Sequence, residues 1–379
     1  MSKLDPRQVT YDLSRHYLQD RKSTLPDATQ RTLLGFIRAR NLEGLASCTS
    51  LLSQNIVGKE GMRTLMQLEA FFKKNAIFCD ADRGKAEALN SFERGERLCR
   101  ITNRRLDFYY FHPGRLDPDM ELWISRLQKE ISSLLGPYPS FVERIPTLLK
   151  VTAGATSTKS RRNALRPLKI SSRPACTPRA APYLQALSLY FGSSVKQVPR
   201  LVTTNRVEFV PKNWKTDRTI ACEPEGNTPL QLAFDTYVKR RFRRWNIDLS
   251  DQTRNQDLAR EGSIDGSFAT IDLSMASDTV SINCVAWLLP RPWFDYLNSV
   301  RSHEGTAEGQ TFRYAKFSSM GNGATFALET LIFAACVRAV GSKTYAVYGD
   351  DLVIETEHVQ NLVRLLRFMG FTINADKSF

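Results

Sequence analysis

Long apolar runs are missing from this 379-residue chain. The longest is about Leu331–Val337, far short of the roughly 20 residues a membrane-spanning helix needs. No apolar signal stretch follows Met1 in MSKLDPRQVTYD, which speaks against secretion by that route. Histidine is scarce. His16, His112, His303 and His358 are scattered, so no sequence-local histidine metal site is visible. The seven cysteines are odd in number, dispersed and free of any CxxC spacing, which disfavours a disulfide framework or a thiolate zinc site. Internal repeats and extended low-complexity tracts are also lacking. With 42% hydrophobic and 10% aromatic residues, global disorder is excluded. The expectation is a reduced, cytoplasmic, soluble protein with no membrane partner, large enough for one large domain or two to three smaller ones.

Acids are rare in one stretch. Between Lys150 and Ile220 there are 14 Lys and Arg against two acids, Glu208 and Asp217. The formal net charge of the whole chain is +14, so most of the surplus sits there, on residues such as Arg161, Arg162, Arg173 and Lys196. A local surplus of this size points to a polyanion, because each cation that neutralises a phosphate releases a counterion. An anionic membrane fits less well. Pro167, Pro174, Pro178 and Pro182 oppose a continuous amphipathic helix. A basic loop that is merely solvated is the alternative.

The first 150 residues read as mostly helical. In DPDMELWISRLQKEISSLLGP, Asp117 can cap and Pro118 suits the first helical position. Met120, Ile124, Leu127, Ile131 and Leu134 recur at helical spacing, and Gly136-Pro137 stops the helix. Residues 151–183 read as loop. A helix is expected over 229–245, its apolar stripe Phe234, Val238, Phe242 and Trp245 ringed by Lys239, Arg240, Arg241, Arg243 and Arg244. After about residue 262 the pattern changes to a strand (268–273), a glycine-punctuated loop running into an apolar helix (319–341), a hairpin (344–356) centred on Gly349-Asp350, and a helix (358–369) ended by Gly370. This order implies an α+β layer, with helices on one face of a small antiparallel sheet.

Chemistry concentrates in the second half. Asp350 and Asp351 stand at a hairpin tip between apolar strands. Two crowded carboxylates repel, and a hard divalent cation such as Mg²⁺ or Mn²⁺ relieves that repulsion. A solvated acidic turn is the plain alternative. Asp272 falls at the end of an apolar strand, where Asp is disfavoured and needs a reason. If that strand lies beside the hairpin, three carboxylates meet. Such a set can hold two ions about 3.5–4 Å apart, as in phosphoryl transfer at polymerases and nucleases. Otherwise Asp272 caps a following turn.

Three further strings carry candidate ligand contacts. Lys212, Lys215 and Arg218 recur every three residues, and cations so placed stabilise a triphosphate and its leaving pyrophosphate. In SSMGNGATF (318–326), Gly321 and Gly323 let backbone approach a ligand closely. Ser319, Asn322 and Thr325 there offer neutral hydrogen bonds to a ribose or base. Turn chemistry at a helix start would produce the same residues. Lys377, in GFTINADKSF, could serve as a general acid near a leaving group, or be an ordinary surface lysine.

Taken in order, VPKNWKTDRTIACEP (210–224), GSIDGSFATIDLSMASDTVS (262–281), SSMGNGATFALETLIF (318–333), VYGDDLVIE (347–355) and GFTINADKSF (370–379) resemble the right-hand RNA-dependent RNA polymerases. The resemblance is to the replicase catalytic subunits of the leviviruses, positive-strand RNA bacteriophages. It is strong from about residue 200 onward. It implies mostly helical fingers over 1–265, including the basic region and the 210–224 motif, and a palm over 266–379 carrying motifs A, B, C and the start of D. It implies Asp272, Asp350 and Asp351 as ligands of two Mg²⁺ (or Mn²⁺) ions, and Lys212, Lys215 and Arg218 as triphosphate contacts. Ser319, Gly321, Asn322 and Thr325 fall near the nucleotide, and Lys377 is the motif D lysine. Asp278 is a candidate reader of the ribose 2′-hydroxyl, directly or through Asn322. The implied partners are RNA template, nascent strand and NTPs, together with host translation elongation factors Tu and Ts and a ribosomal protein, in the cytoplasm of an infected bacterium.

The sequence departs from the wider pattern in two places. Ser277 occupies the position five after Asp272, where many RNA polymerases carry the second acid, and Glu329 stands where many carry Asn. Family members also continue past motif D into a thumb, whereas this sequence stops at Phe379. A missing thumb or an incomplete reading frame is therefore expected. The rival readings are a reverse transcriptase, which shares the three acids, a non-catalytic RNA-binding protein, and a two-metal nuclease. The nuclease has no need for a triphosphate grip.

Overall fold

The computed structural model describes residues 5–56, 58–166, 169, 173–190 and 198–378. Pro167, Lys196 and Phe379, named above, lie outside the described residues. The chain forms two compact units, one of residues 1–91 and 209–219, the other of 92–208 and 220–379.

The first unit is helical. Pro6–Asp20, Asp27–Arg38 and Lys59–Lys73 are its longer helices. Leu33, Leu45, Leu65, Leu68 and Phe72 make a fully buried core. Trp214, from the inserted 209–219 segment, packs against this core. Its backbone N–H donates to the Lys73 carbonyl at 3.0 Å.

The second unit is built around the helix Thr325–Ala339. TFALETLIFAACVRA is apolar on every side, and a helix of that kind must be central. All but Phe326 and Arg338 are buried. Pro118–Leu135, Asn227–Phe242 and Val359–Met369 pack around it. The first of these starts as its sequence predicts, with Asp117 accepting from the Met120 N–H at 3.0 Å. It ends at Gly136, whose φ is +67°. Arg241, one of the basic residues ringing the 229–245 stripe, donates from its guanidinium to the Leu134 and Ser133 carbonyls at that helix end. The expected 229–245 helix runs Asn227–Phe242 and tightens to a 3₁₀ turn over Arg243–Trp245. Residues 151–160 are irregular, as read, but a 3₁₀ turn covers Arg161–Asn163 and a helix already begins at Ala181.

Three antiparallel strands form the sheet that positions the candidate site, in the order Phe268–Ile271, Asp351–Glu355, Tyr345–Tyr348. Helices on one face were the expectation, and that is corrected here. Successive strand residues point to opposite faces, yet Leu352, Val353 and Ile354 are all buried, so both faces are covered. The helix Thr253–Asp265 packs across the three strands, and Thr325–Ala339 packs on Tyr345–Tyr348. The unbroken LVI run is the sequence sign of a strand covered on both sides.

A single strand over 268–273 was also expected. Pairing instead breaks at Asp272. Phe268–Ile271 joins the three-stranded sheet, while Leu273–Ser274 pairs with Thr372–Ile373 in a separate ribbon. A four-stranded sheet, ordered Asp217–Cys222, Thr204–Pro211, Glu304–Ala307, Gln310–Arg313, completes the regular structure that bears on function.

Candidate active site

The hairpin Tyr345–Glu355 turns over two residues, Gly349 and Asp350, with Tyr348 opposite Asp351. Gly349 has φ +60°, as the first central position of a tight primed turn requires. A Cβ there would lie 2.7 Å from the Phe326 ring, so only glycine fits. On the other side of the hairpin, Leu352 pairs with Ile271. Asp272 follows Ile271 directly, where this pairing ends, and its charge is felt at Asp351. The fold thus brings Asp272, Asp350 and Asp351 to one end of one sheet.

Their charges are felt. Asp351 titrates above the usual carboxylate range, first through partial burial, then through Asp350 and Asp272. Asp272 is drawn toward the chain's last turns. Asn374 donates to its carboxylate at 2.7 Å, and the Lys377 ammonium lies 3.7 Å away. The Asp272 N–H also donates to the Ser378 hydroxyl. Asn255, on the helix that covers the sheet, donates to the Asp351 carbonyl at 3.1 Å. Asp272, Asp351 and Lys377 sit on the wall of an open groove of about 540 Å³.

Among the described residues, only Glu355, Glu357 and His358 bring three candidate ligand atoms within 4.8 Å of one another. They lie on a partly exposed turn at the far end of the strand. The three aspartates are more widely spread. Their donor set, all carboxylate oxygen, still fits a hard divalent cation.

Asp278 follows in a 3₁₀ turn, Ala276–Asp278, entered through Met275 in the left-handed region (φ +58°). One of its carboxylate oxygens is held by Lys316 at 2.8 Å. Ser277, the other candidate for the sugar-facing position, donates to Glu329 at 2.6 Å. Glu329 is 4% exposed. Its carboxyl is pushed up to about 8, chiefly by burial and then by the nearby charges of Asp350 and Asp278, against the Ser277 hydrogen bond.

Ser319, Gly321, Asn322 and Thr325 form the loop leading into the central helix. Ser319, Asn322 and Thr325 are buried. The Thr325 hydroxyl donates to the Ser319 carbonyl at 2.9 Å, and the Asn322 side-chain oxygen accepts from the Ala324 N–H. Those atoms therefore serve the loop itself. Gly321 has φ +105°, and a Cβ would fall 2.3 Å from the Ala221 carbonyl oxygen. Gly321→Ala should cost about 2–3 kcal/mol through backbone strain and displacement. Urea unfolding measures it, and a loss under 0.5 kcal/mol would mean the loop relaxes freely.

Lys212, Lys215 and Arg218 belong to the first unit, whereas the aspartates belong to the second. Lys215 pairs with Glu43 at 2.9 Å and lies over the Trp214 ring. That pair is solvent-exposed and so weak, and an anion can compete for the lysine. Arg218 is exposed. In the basic segment, Glu225 pins the chain by accepting from Thr156, Thr158 and the Ala175 N–H. Part of the expected loop is therefore fixed in place.

Two residues escaped the sequence reading. Asn374 holds Asp272, and nothing in its local pattern marks it. Lys316 holds Asp278, and it did leave a sign. Phe312, Tyr314 and Lys316 alternate, so an extended chain puts the lysine on an aromatic face.

Residues 64–379 match the family model for the RNA replicase beta-chain. The RNA-directed RNA polymerase subunit beta of Enterobacteria phage SP is 39% identical over 303 residues, spanning 78% of this chain and 52% of that protein. That of Escherichia virus Qbeta is 38% identical over 310 residues, spanning 78% and 51%. This chain belongs to the RNA replicase beta-chain family, and it spans about half the length of the curated relatives it matches. Among solved structures, the RNA-dependent RNA polymerase of BmCPV aligns at 10% identity with a TM-score of 0.44, over 68% of this chain and 27% of that one. That likeness is too low to carry an argument. No helix among the described residues is long and apolar enough to cross a membrane.

Proposed function

We propose that this chain carries the fingers and palm of an RNA-directed RNA polymerase that copies a positive-strand RNA phage genome. One observation carries the reading. The register that sets Leu352 against Ile271 puts Asp272 beside the Asp350-Asp351 turn. In the reaction, a nascent 3′-hydroxyl attacks the α-phosphorus of an NTP. The new O–P bond forms as the bond to pyrophosphate breaks.

Asp272, Asp350 and Asp351 would hold two divalent cations, Mg²⁺ or Mn²⁺. When bound, such ions lower the pKa of the attacking hydroxyl and offset charge on the leaving group. The chain's own groups do the rest. Lys212, Lys215 and Arg218 bind the triphosphate. Asp278 reads the ribose 2′-hydroxyl, and the 318–325 loop shapes the nucleotide's surroundings. Lys377 holds a proton at Nζ for the departing pyrophosphate. The basic 150–220 stretch follows template or NTP. By family resemblance, host elongation factors Tu and Ts and a ribosomal protein are the expected partners, in the cytoplasm of the infected host.

The test is incorporation of labelled nucleotides on a primed RNA by the full-length protein. Ribonucleotides should be incorporated, deoxyribonucleotides poorly, and chelation should stop the reaction. Incorporation that survives chelation, or that prefers deoxyribonucleotides, would sink the reading.

A further inference from the structure

Lys316 is 1% exposed. A lysine is rarely so deep unless its charge is matched. Its ammonium donates to Asp278 at 2.8 Å and lies 4.2 Å from the centre of the Phe92 ring and 5.6 Å from that of Tyr314. Glu96 is buried close by. One of its oxygens accepts from the Ala315 N–H at 2.6 Å, and the other has no partner.

The lysine's backbone is equally fixed. Ser281 and Lys316 form an antiparallel bridge, the Phe317 N–H donates to the Val280 carbonyl at 2.7 Å, and Asn103 donates to the Ala315 carbonyl. Lys316 therefore joins the turn that holds Asp278 to the segment that enters the 318–325 loop. Asp278 itself is partly open, its side chain 18% exposed. One oxygen is committed to Lys316, and the other accepts no side-chain hydrogen bond among the described residues. A carboxylate anchored on one oxygen and open on the other can present a fixed acceptor.

We propose that Lys316 is a positioning residue for sugar selection. It never touches the nucleotide. It fixes the Asp278 carboxylate so that the open oxygen accepts from a ribose 2′-hydroxyl. This rests on the polymerase reading above, and it adds a residue that reading does not need.

The experiment compares kcat/KM for ATP and dATP in the full-length protein. Lys316→Met keeps the stem and removes the charge. It should lower the ATP-to-dATP ratio about tenfold, the worth of one well-placed hydrogen bond. Most of the change should fall in KM for ATP. Asp278→Asn should lower the ratio similarly, and the double variant should lower it no further, because the two act as one unit. Removing the lysine strands buried carboxylates, so Lys316→Met could fold poorly. Phe92→Leu loosens the ammonium without removing it and should give a smaller drop in the same ratio. If Lys316→Met, or Phe92→Leu where the former does not fold, slows both nucleotides equally, Lys316 is merely structural and the proposal falls. A wild-type protein that incorporates neither nucleotide overturns the polymerase reading, and this proposal with it.

Discussion

Asp272→Asn and Asp350→Asn should each reduce nucleotide incorporation about a thousandfold, equivalent to about 4 kcal/mol of lost transition-state stabilisation. Without metal, both variants should remain as stable as the parent or become slightly more so. The reason lies in the crowding at the hairpin tip. Asp351 is pushed upward first by burial and then by Asp350 and Asp272. A raised carboxylate contributes stability fully below its unfolded value and loses it as pH rises. At neutral pH the ionised Asp351 therefore works against the fold. Removing one charge relieves this, though by less than about 1 kcal/mol, since Asp351 is half-exposed. Asparagine at 272 still offers Asn374 an acceptor. Incorporation assays and metal-free thermal melts decide the matter together. A variant that keeps activity within a few-fold would remove that aspartate from the proposed chemistry.

Glu329→Gln should stabilise the metal-free protein by an amount that grows with pH. The Glu329 carboxyl is pushed up to about 8, whereas an unfolded glutamate titrates near 4.3. The folded state keeps a proton that the unfolded state has already released. Its contribution is complete below about 4.3 and fades as pH rises toward 8, with a limit of about 5 kcal/mol. Glutamine keeps the acceptor that Ser277 uses and cannot ionise. The melting temperatures of parent and variant should therefore be close at pH 5 and diverge toward pH 8. Parallel curves between pH 5 and 9 would show that Glu329 is ionised in the fold. Divalent cations should narrow the gap, because they offset the Asp350 charge that raises Glu329.

Much of this was legible beforehand. Gly349-Asp350 between apolar runs announced a tight hairpin, because few residues tolerate φ > 0. Asp117 and Gly136 marked the two ends of a helix whose apolar spacing filled the span between them. The covering of both sheet faces was written in Leu352-Val353-Ile354 but was read as one face, because short apolar runs do not say what packs on them. The break at Asp272 was not legible. It depends on Thr372–Ile373 claiming Leu273–Ser274, a pairing between segments a hundred residues apart. Asn374 and Lys316 were missed for the same reason, since their partners are set by the fold and not by their neighbours in sequence. The loop residues Ser319, Asn322 and Thr325 were identified as polar. Their commitment to one another appears only in three dimensions.

The two-residue turn and the shared register also set what changes in length the chain can accept. One extra residue within Leu352–Ile354 would reverse the facing of every side chain beyond it on that strand. Natural variants should therefore show no insertions or deletions there. The irregular residues 151–160 carry no such parity, and length changes among descendants of this gene should gather there.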